Sequence, residues 1–175
     1  MIKILQENKN EDNEILRAGC VLVKQKEFKT PELLELIAKM RKAASQDEDG
    51  VALACPQIGI NKRIFVIDTE RGYDKNIKWK PAVFINPEIT SVSNKQELKH
   101  EGCLSVRGIY GDTWRAMSVT VSAFDENGDK FNLVADGLTA HIIQHEYDHL
   151  DGILFIDHGV NLADDPNWQE HWTKK

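Results

Sequence analysis

The residues best equipped for chemistry are His145-Glu146-Tyr147-Asp148-His149. On a helix, side chains four apart share one face at about 6 Å, so the two imidazoles can converge on one metal ion. Glu146, next to the first of them, reaches a water on that ion without ligating it. The chemistry this serves is metal-activated hydrolysis: the ion lowers the pKa of the water and the carboxylate takes its proton. The bland alternative is a surface helix carrying two solvated histidines.

A catalytic ion takes three protein ligands and keeps one position open. His141 lies four residues before His145 but about 12 Å along the axis from His149, so one ion cannot hold all three. The run from His145 to Gly152 starts like the metzincin pattern, whose third histidine would fall at a position that here is Phe155. The third ligand must come from elsewhere in the chain. Glu101-Gly102-Cys103-Leu104-Ser105 offers Cys103 in a turn-like segment outside any apolar run, and a thiolate beside a divalent ion is deprotonated outright. The competing reading of Cys103 is a small buried hydrophobe, which is also the default for Cys20 and Cys55. In Gly50-Val51-Ala52-Leu53-Ala54-Cys55-Pro56-Gln57-Ile58-Gly59, small residues let a ligand approach the backbone. There Gln57 offers amide donors to a developing oxyanion, against the alternative of a plain turn with a solvated side chain.

The elements that must position these groups are marked in the sequence. Thr30 suits an N-cap and Pro31 the first helical position; Leu33, Leu34, Ile37, Met40 and Ala44 then recur at helical spacing to about Ser45. Arg63–Ile67 and Ala82–Ile85 are β-branched and aromatic, as strands are. Ser118–Phe124 alternates with period two and meets Lys130–Val134 across Asp125-Glu126-Asn127-Gly128-Asp129, a hairpin signal. Gly137–Leu150 reads as a helix with Leu138, Ile142 and Ile143 on its apolar side, ended by Gly152. Residues 163–175 read as a short terminal helix. Helix, antiparallel strands, helix is an α+β order: antiparallel sheets around a central metal-binding helix, with an N-terminal helix.

The 175 residues favour one domain over 1–175. Hydrophobic residues at 41% and charged residues at 29% are ordinary globular usage, which excludes a disordered chain. A net charge of −6 disfavours dedicated nucleic-acid binding. No run approaches a membrane span of about 20 apolar residues. The opening MIKILQENKNEDNE turns polar early and lacks a secretory stretch, so a cytoplasmic protein is expected. Three widely spaced cysteines do not suit a disulfide framework.

In order, GVALACPQIG, EGCLS and QHEYDH resemble the motifs of peptide deformylase, and the likeness runs from about Thr30 to Asp157. Phe84-Ile85-Asn86-Pro87 and Asp136-Gly137-Leu138 add lesser matches. The resemblance implies an enzyme that removes the formyl group from the N-terminal formylmethionine of nascent polypeptides, with transient contact at the ribosome. It implies one divalent ion, Fe(II) in the cell and Zn, Ni or Co in a purified sample, held by Cys103, His145 and His149. Glu146 would be general base and then general acid as a hydroxide on the ion attacks the formyl carbon. Gln57 and the backbone N–H of Leu104 would face the formyl oxygen, and Val51, Gly102 and Tyr110 would border the substrate. Other readings are a small metallopeptidase and a deformylase-like metal binder that has lost activity.

The chain departs from the family pattern at Ala52, where Gly is usual, and at Cys55, where Ala is usual. Arg107 replaces a usual Pro, Tyr110 a common Arg, and His141 an apolar residue. On the last helix Ile142 and His141 share the face of His145 and should border the pocket for the first side chain. Ala52 should narrow the cleft, and Leu53 is a pocket candidate through its proximity to Ala52. Formylmethionine is expected as best substrate, with a weakened preference over norleucine-like or shorter side chains. Glu101 and Arg115, a pair the family commonly has, are expected to form an ion pair that fixes the Cys103 loop.

Overall fold

The computed structural model of the protein describes residues 2–48 and 50–164. Three α-helices, α1 (Asn10–Arg17), α2 (Pro31–Ala44) and α3 (Gly137–Leu150), accompany eight strands among these residues. The strands are β1 (Ala52–Ala54), β2 (Ile64–Ile67), β3 (Val83–Val92), β4 (Gln96–Cys103), β5 (Val106–Ala116), β6 (Ser118–Phe124), β7 (Lys130–Asp136) and β8 (Val160–Asp164). A five-stranded sheet has the order β1-β2-β3-β6-β7 and a three-stranded sheet the order β4-β5-β8, with every pair antiparallel. The fold is the expected α+β arrangement, with α3 packed against β1 and β7 of the large sheet and β5 of the small one. No helix among the described residues is long and apolar enough to cross a membrane.

Strand alternation divides the core. Ala52 and Ala54 of β1 face the cluster that holds Ile142, Ile143 and Leu150 of α3, whereas Leu53 faces Leu33, Ile37 and Met40 of α2. Thr30 Oγ1 caps α2 by accepting from the Leu33 N–H at 3.3 Å, and Pro31 occupies its first turn. The apolar side expected for α3 needs one correction: Ile142 and Ile143 are buried, but Leu138 is 48% exposed. The helix that opens the chain, α1, was not expected, because it buries only Asp12 and Leu16. Ala163 and Asp164, expected in a terminal helix, belong to β8, and the rest of that segment lies outside the described residues.

The start of α3 is held by a residue distant in sequence. Asp136 at the N-cap makes no side-chain cap, and Gly137 supplies a φ of 54° that suits glycine. Asp74 Oδ2 instead accepts from the Thr139 N–H at 2.9 Å and from Thr139 Oγ1 at 3.1 Å, while the Asp74 N–H donates back to Thr139 Oγ1 at 2.9 Å. This is capping from another loop, with a carboxylate placed at the positive helix end. Asp74→Ala is expected to lower the unfolding free energy by about 1 kcal/mol in a denaturant titration. A parental midpoint would remove Asp74 from this role.

Candidate active site

Two elements bring three soft donors together. His145 and His149 stand one turn apart on α3, their ring centroids 5.0 Å apart and their planes at 80°. Cys103 ends β4 at a register shift against β5, which turns its side chain out of the ladder and towards α3. Its Sγ lies 3.3 Å from His149 Nε2, and one ligand atom from each of Cys103, His145 and His149 falls within 4.8 Å of the others. A thiolate and two imidazoles in this cluster are a donor set for a first-row divalent ion. Leu154, Phe155 and Val106 form the apolar packing beside Cys103, and the Phe155 ring stacks 6.4 Å from that of His145.

The surroundings fit such an ion. His145 Nδ1 meets Glu101 Oε2 at 2.7 Å, so its Nε2 is the nitrogen left for a metal. Burial pushes the pKa of His149 down, which keeps its imidazole neutral, the ligand form. Glu146 is 4% exposed, and its Oε2 has no hydrogen-bond partner among the described residues. Burial pushes that carboxyl up to about 7. A buried, unpartnered carboxylate oxygen beside the donor cluster is what a general base waiting for a metal-activated water looks like. Cys20 and Cys55 differ from Cys103: burial pushes both thiols up to about 12, so they behave as small hydrophobes.

A cleft of about 330 Å³ opens over the cluster. Of the residues expected there, Val51, Ala52, Gln57, Gly102, Cys103, Leu104, Tyr110, His141, Ile142, His145 and Glu146 line it. Leu53 does not: it is fully buried on the α2 side of β1, because neighbours along a strand point to opposite faces. Gln57 is 2% exposed and firmly placed, its Oε1 accepting from the Ala54 N–H at 2.8 Å. Its Nε2 donates to Ser105 Oγ at 3.1 Å and lies 3.5 Å from Cys103 Sγ. The Tyr110 ring covers Gly102 so closely that a Cβ there would come within 2.5 Å of it. Arg71 and His100 also line the cleft, outside the three motifs and unmarked by any local pattern, as does Leu138, which the sequence assigned to the apolar side of its helix.

The family model for polypeptide deformylase matches residues 3–165. The chain belongs to this family. It is similar to peptide deformylase 1 of Clostridium perfringens, 45% identical over 148 residues that cover 84% of this chain and 92% of that one. Among solved structures it resembles the class I type b deformylase of Acinetobacter baumannii, with a TM-score of 0.80 and 31% identity over 90% of this chain and 98% of the other. That enzyme has also been solved with Met-Ala-Ser bound. The deformylase of Synechococcus elongatus, solved with actinonin, gives a TM-score of 0.77 and 39% identity over 91% of this chain and 79% of the other. Peptide deformylases are metal-dependent hydrolases that remove the N-formyl group from nascent peptides, and this chain is such an enzyme.

In this deformylase Glu101 is the hub behind the cluster. The expected pair with Arg115 is present, with Arg115 Nη2 at 3.0 Å from Glu101 Oε1 and both side chains buried. Arg115 Nη1 also reaches Asp148 Oδ2 at 2.5 Å. The sequence did not foretell that Thr113 Oγ1 donates to Glu101, or that His141 Nε2 meets Glu101 Oε2 at 3.0 Å. Burial works to raise the Glu101 carboxyl, yet hydrogen bonds from His141 and His145 and the Arg115 charge hold it far below the usual range. Glu101→Gln removes the anionic acceptor that orients His145, while Arg115 keeps Asp148. Metal affinity is therefore expected to fall 10- to 100-fold, by roughly the amount such outer partners contribute. Parental affinity in a chelator competition would show that the His145 ring is oriented without Glu101.

Proposed function

We propose that residues 1–175 act as one catalytic domain in which Cys103, His145 and His149 hold Fe(II) in the cell, a place Zn, Ni or Co can take in a purified sample. The observation that carries this reading is the buried, unpartnered Glu146 carboxylate beside three convergent donors. When bound, the ion lowers the pKa of a water and polarises a carbonyl oxygen. Glu146 takes the proton from the water and later gives it to the departing amine, so formate and a free N-terminus are the products. The Gln57 amide, set by Ala54 and Ser105, and the Leu104 N–H face the formyl oxygen as charge develops on it. β1 pairs with β2 alone and borders the cleft with its other edge, where an extended peptide can lie as an added strand. Val51, Ala52, Gly102, Tyr110, His141 and Ile142 then surround the peptide and its first side chain.

The substrates on this reading are N-formylmethionyl nascent chains, met in the cytoplasm during transient contact with the ribosome. The test is release of formate from formyl-Met-Ala-Ser by protein purified without oxygen, with the bound metal measured in the same sample. Formate release without cleavage of internal bonds is the expected result. Internal cleavage would select a metallopeptidase, and full metal with no turnover a metal-binding relative without activity.

A further inference from the structure

His141 occupies a place in the cleft where a hydrogen-bonding side chain is unexpected. It sits one turn before His145 on α3, is 8% exposed, and borders the cleft beside Leu138, Ile142 and Val51. All three are aliphatic, so the imidazole is the polar side chain among them. Its Nε2 stands 3.0 Å from Glu101 Oε2. The Glu101 carboxylate, paired with Arg115, can only accept there, so Nε2 carries the hydrogen of that contact and Nδ1 is the ring nitrogen left over. Nδ1 has no protein partner among the described residues, and it is not one of the fully enclosed polar atoms left without one. The cleft is what remains for it to face.

We infer that His141 is a specificity-determining residue whose Nδ1 gives the first-side-chain pocket a hydrogen-bonding atom, so that formylated substrates ending this side chain in a hydroxyl or carboxamide, which can donate or accept, are taken as well as thioethers. The inference rests on the reading of the cleft as the formyl-peptide site. An apolar pocket rejects a hydroxyl because it leaves the group buried and unpaired, whereas a ring nitrogen within reach removes that penalty. The thioether of methionine needs no partner and still fits among Leu138, Ile142 and Val51.

Two peptides of equal shape test this: formyl-norleucine-Ala-Ser and formyl-5-hydroxynorvaline-Ala-Ser, which differ by a terminal methyl against a hydroxyl. The parent enzyme is expected to process the hydroxylated peptide within about tenfold of the other, as one neutral hydrogen bond allows. In His141→Ile the ratio of the two kcat/KM values should fall about tenfold, and in His141→Gln, which restores a polar group, it should recover. Each ratio is internal to one variant, so a loss shared by both peptides cancels. A parental ratio below about one in a hundred overturns the inference whatever the variants do. An unchanged ratio in His141→Ile, with metal bound and formyl-Met turned over, overturns it too. If the parent releases formate from none of the peptides, formyl-Met included, the reading of the cleft fails first.

Discussion

Cys103→Ala is expected to yield a folded protein without a tightly bound divalent ion and with formate release at background. The variant leaves two imidazoles, which hold such an ion poorly, and takes away the only anionic member of the cluster. The loss is local. Cys103 lies at the end of β4, half-buried, and packs against the edge of the small cluster of Val106, Leu154 and Phe155 and not among its buried members. What is left behind is two donors without their acceptor, because the Ser105 N–H at 3.4 Å and Gln57 Nε2 at 3.5 Å both point at Sγ. Gln57 Nε2 keeps its bond to Ser105 Oγ, so the buried Ser105 N–H is the main donor left unpaired, at about 1–3 kcal/mol, a cost to folding that should be small beside the cost to metal binding. Cys55→Ala is the matched control. That thiol is fully buried in the α2 layer and far from any ligand role, so the variant should lose some stability and keep its metal. Elemental analysis of both variants, purified without oxygen, decides the matter. Full occupancy in Cys103→Ala would break the proposed triad.

The parts of the site written in local periodicity were legible in the sequence. The i, i+4 histidines of α3 and the alternation of β6 against β7 depend on neighbours a few residues apart, and both elements begin and end close to where the pattern places them. The β4–β5 hairpin was not legible. Gln96-Glu97-Leu98-Lys99-His100-Glu101-Gly102-Cys103 reads as a polar stretch, because most of this strand faces solvent and its pairing is set by β5. Yet it is this strand that delivers both Cys103 and Glu101 to α3. The same limit applies to Leu53: sequence proximity to Ala52 suggested the cleft, and strand alternation sent it to the opposite face.

The role of His141 shows a different limit. The sequence placed it on the correct face of α3, but its partner, Glu101, lies 40 positions earlier in the three-stranded sheet. No spacing rule connects the two. Only once the β4–β5 hairpin is folded against α3 do His141, His145, Thr113 and Arg115 converge on one carboxylate. The motifs carry Cys103, His145, His149 and even Glu101 forward as short local patterns; that His141, Thr113 and Arg115 meet Glu101 emerges from packing.

Glu146→Gln should separate metal binding from proton transfer. The ion is expected to stay, since Glu146 is not among the three converging donors, whereas turnover should fall by about 10²- to 10⁴-fold. The substitution keeps the size of the side chain and the position of its carbonyl oxygen, but a carboxamide cannot take a proton from water at neutral pH. The environment strengthens the contrast. Burial disfavours the charged carboxylate and moves its pKa up to about 7, into the range where a base both holds little proton and binds it readily during the reaction. That same burial means the ionised group is held in the fold at a cost, so replacing it by a neutral amide should leave thermal stability equal or slightly raised. A variant that melts earlier and turns over slowly would therefore point to misfolding, while one that melts normally, binds the ion and is slow isolates the chemical step. Near-parental formate release with the ion in place would mean that another group carries the proton. Within the lining of this cleft His141 is then the next titratable side chain to test, and its engagement with Glu101 argues against it.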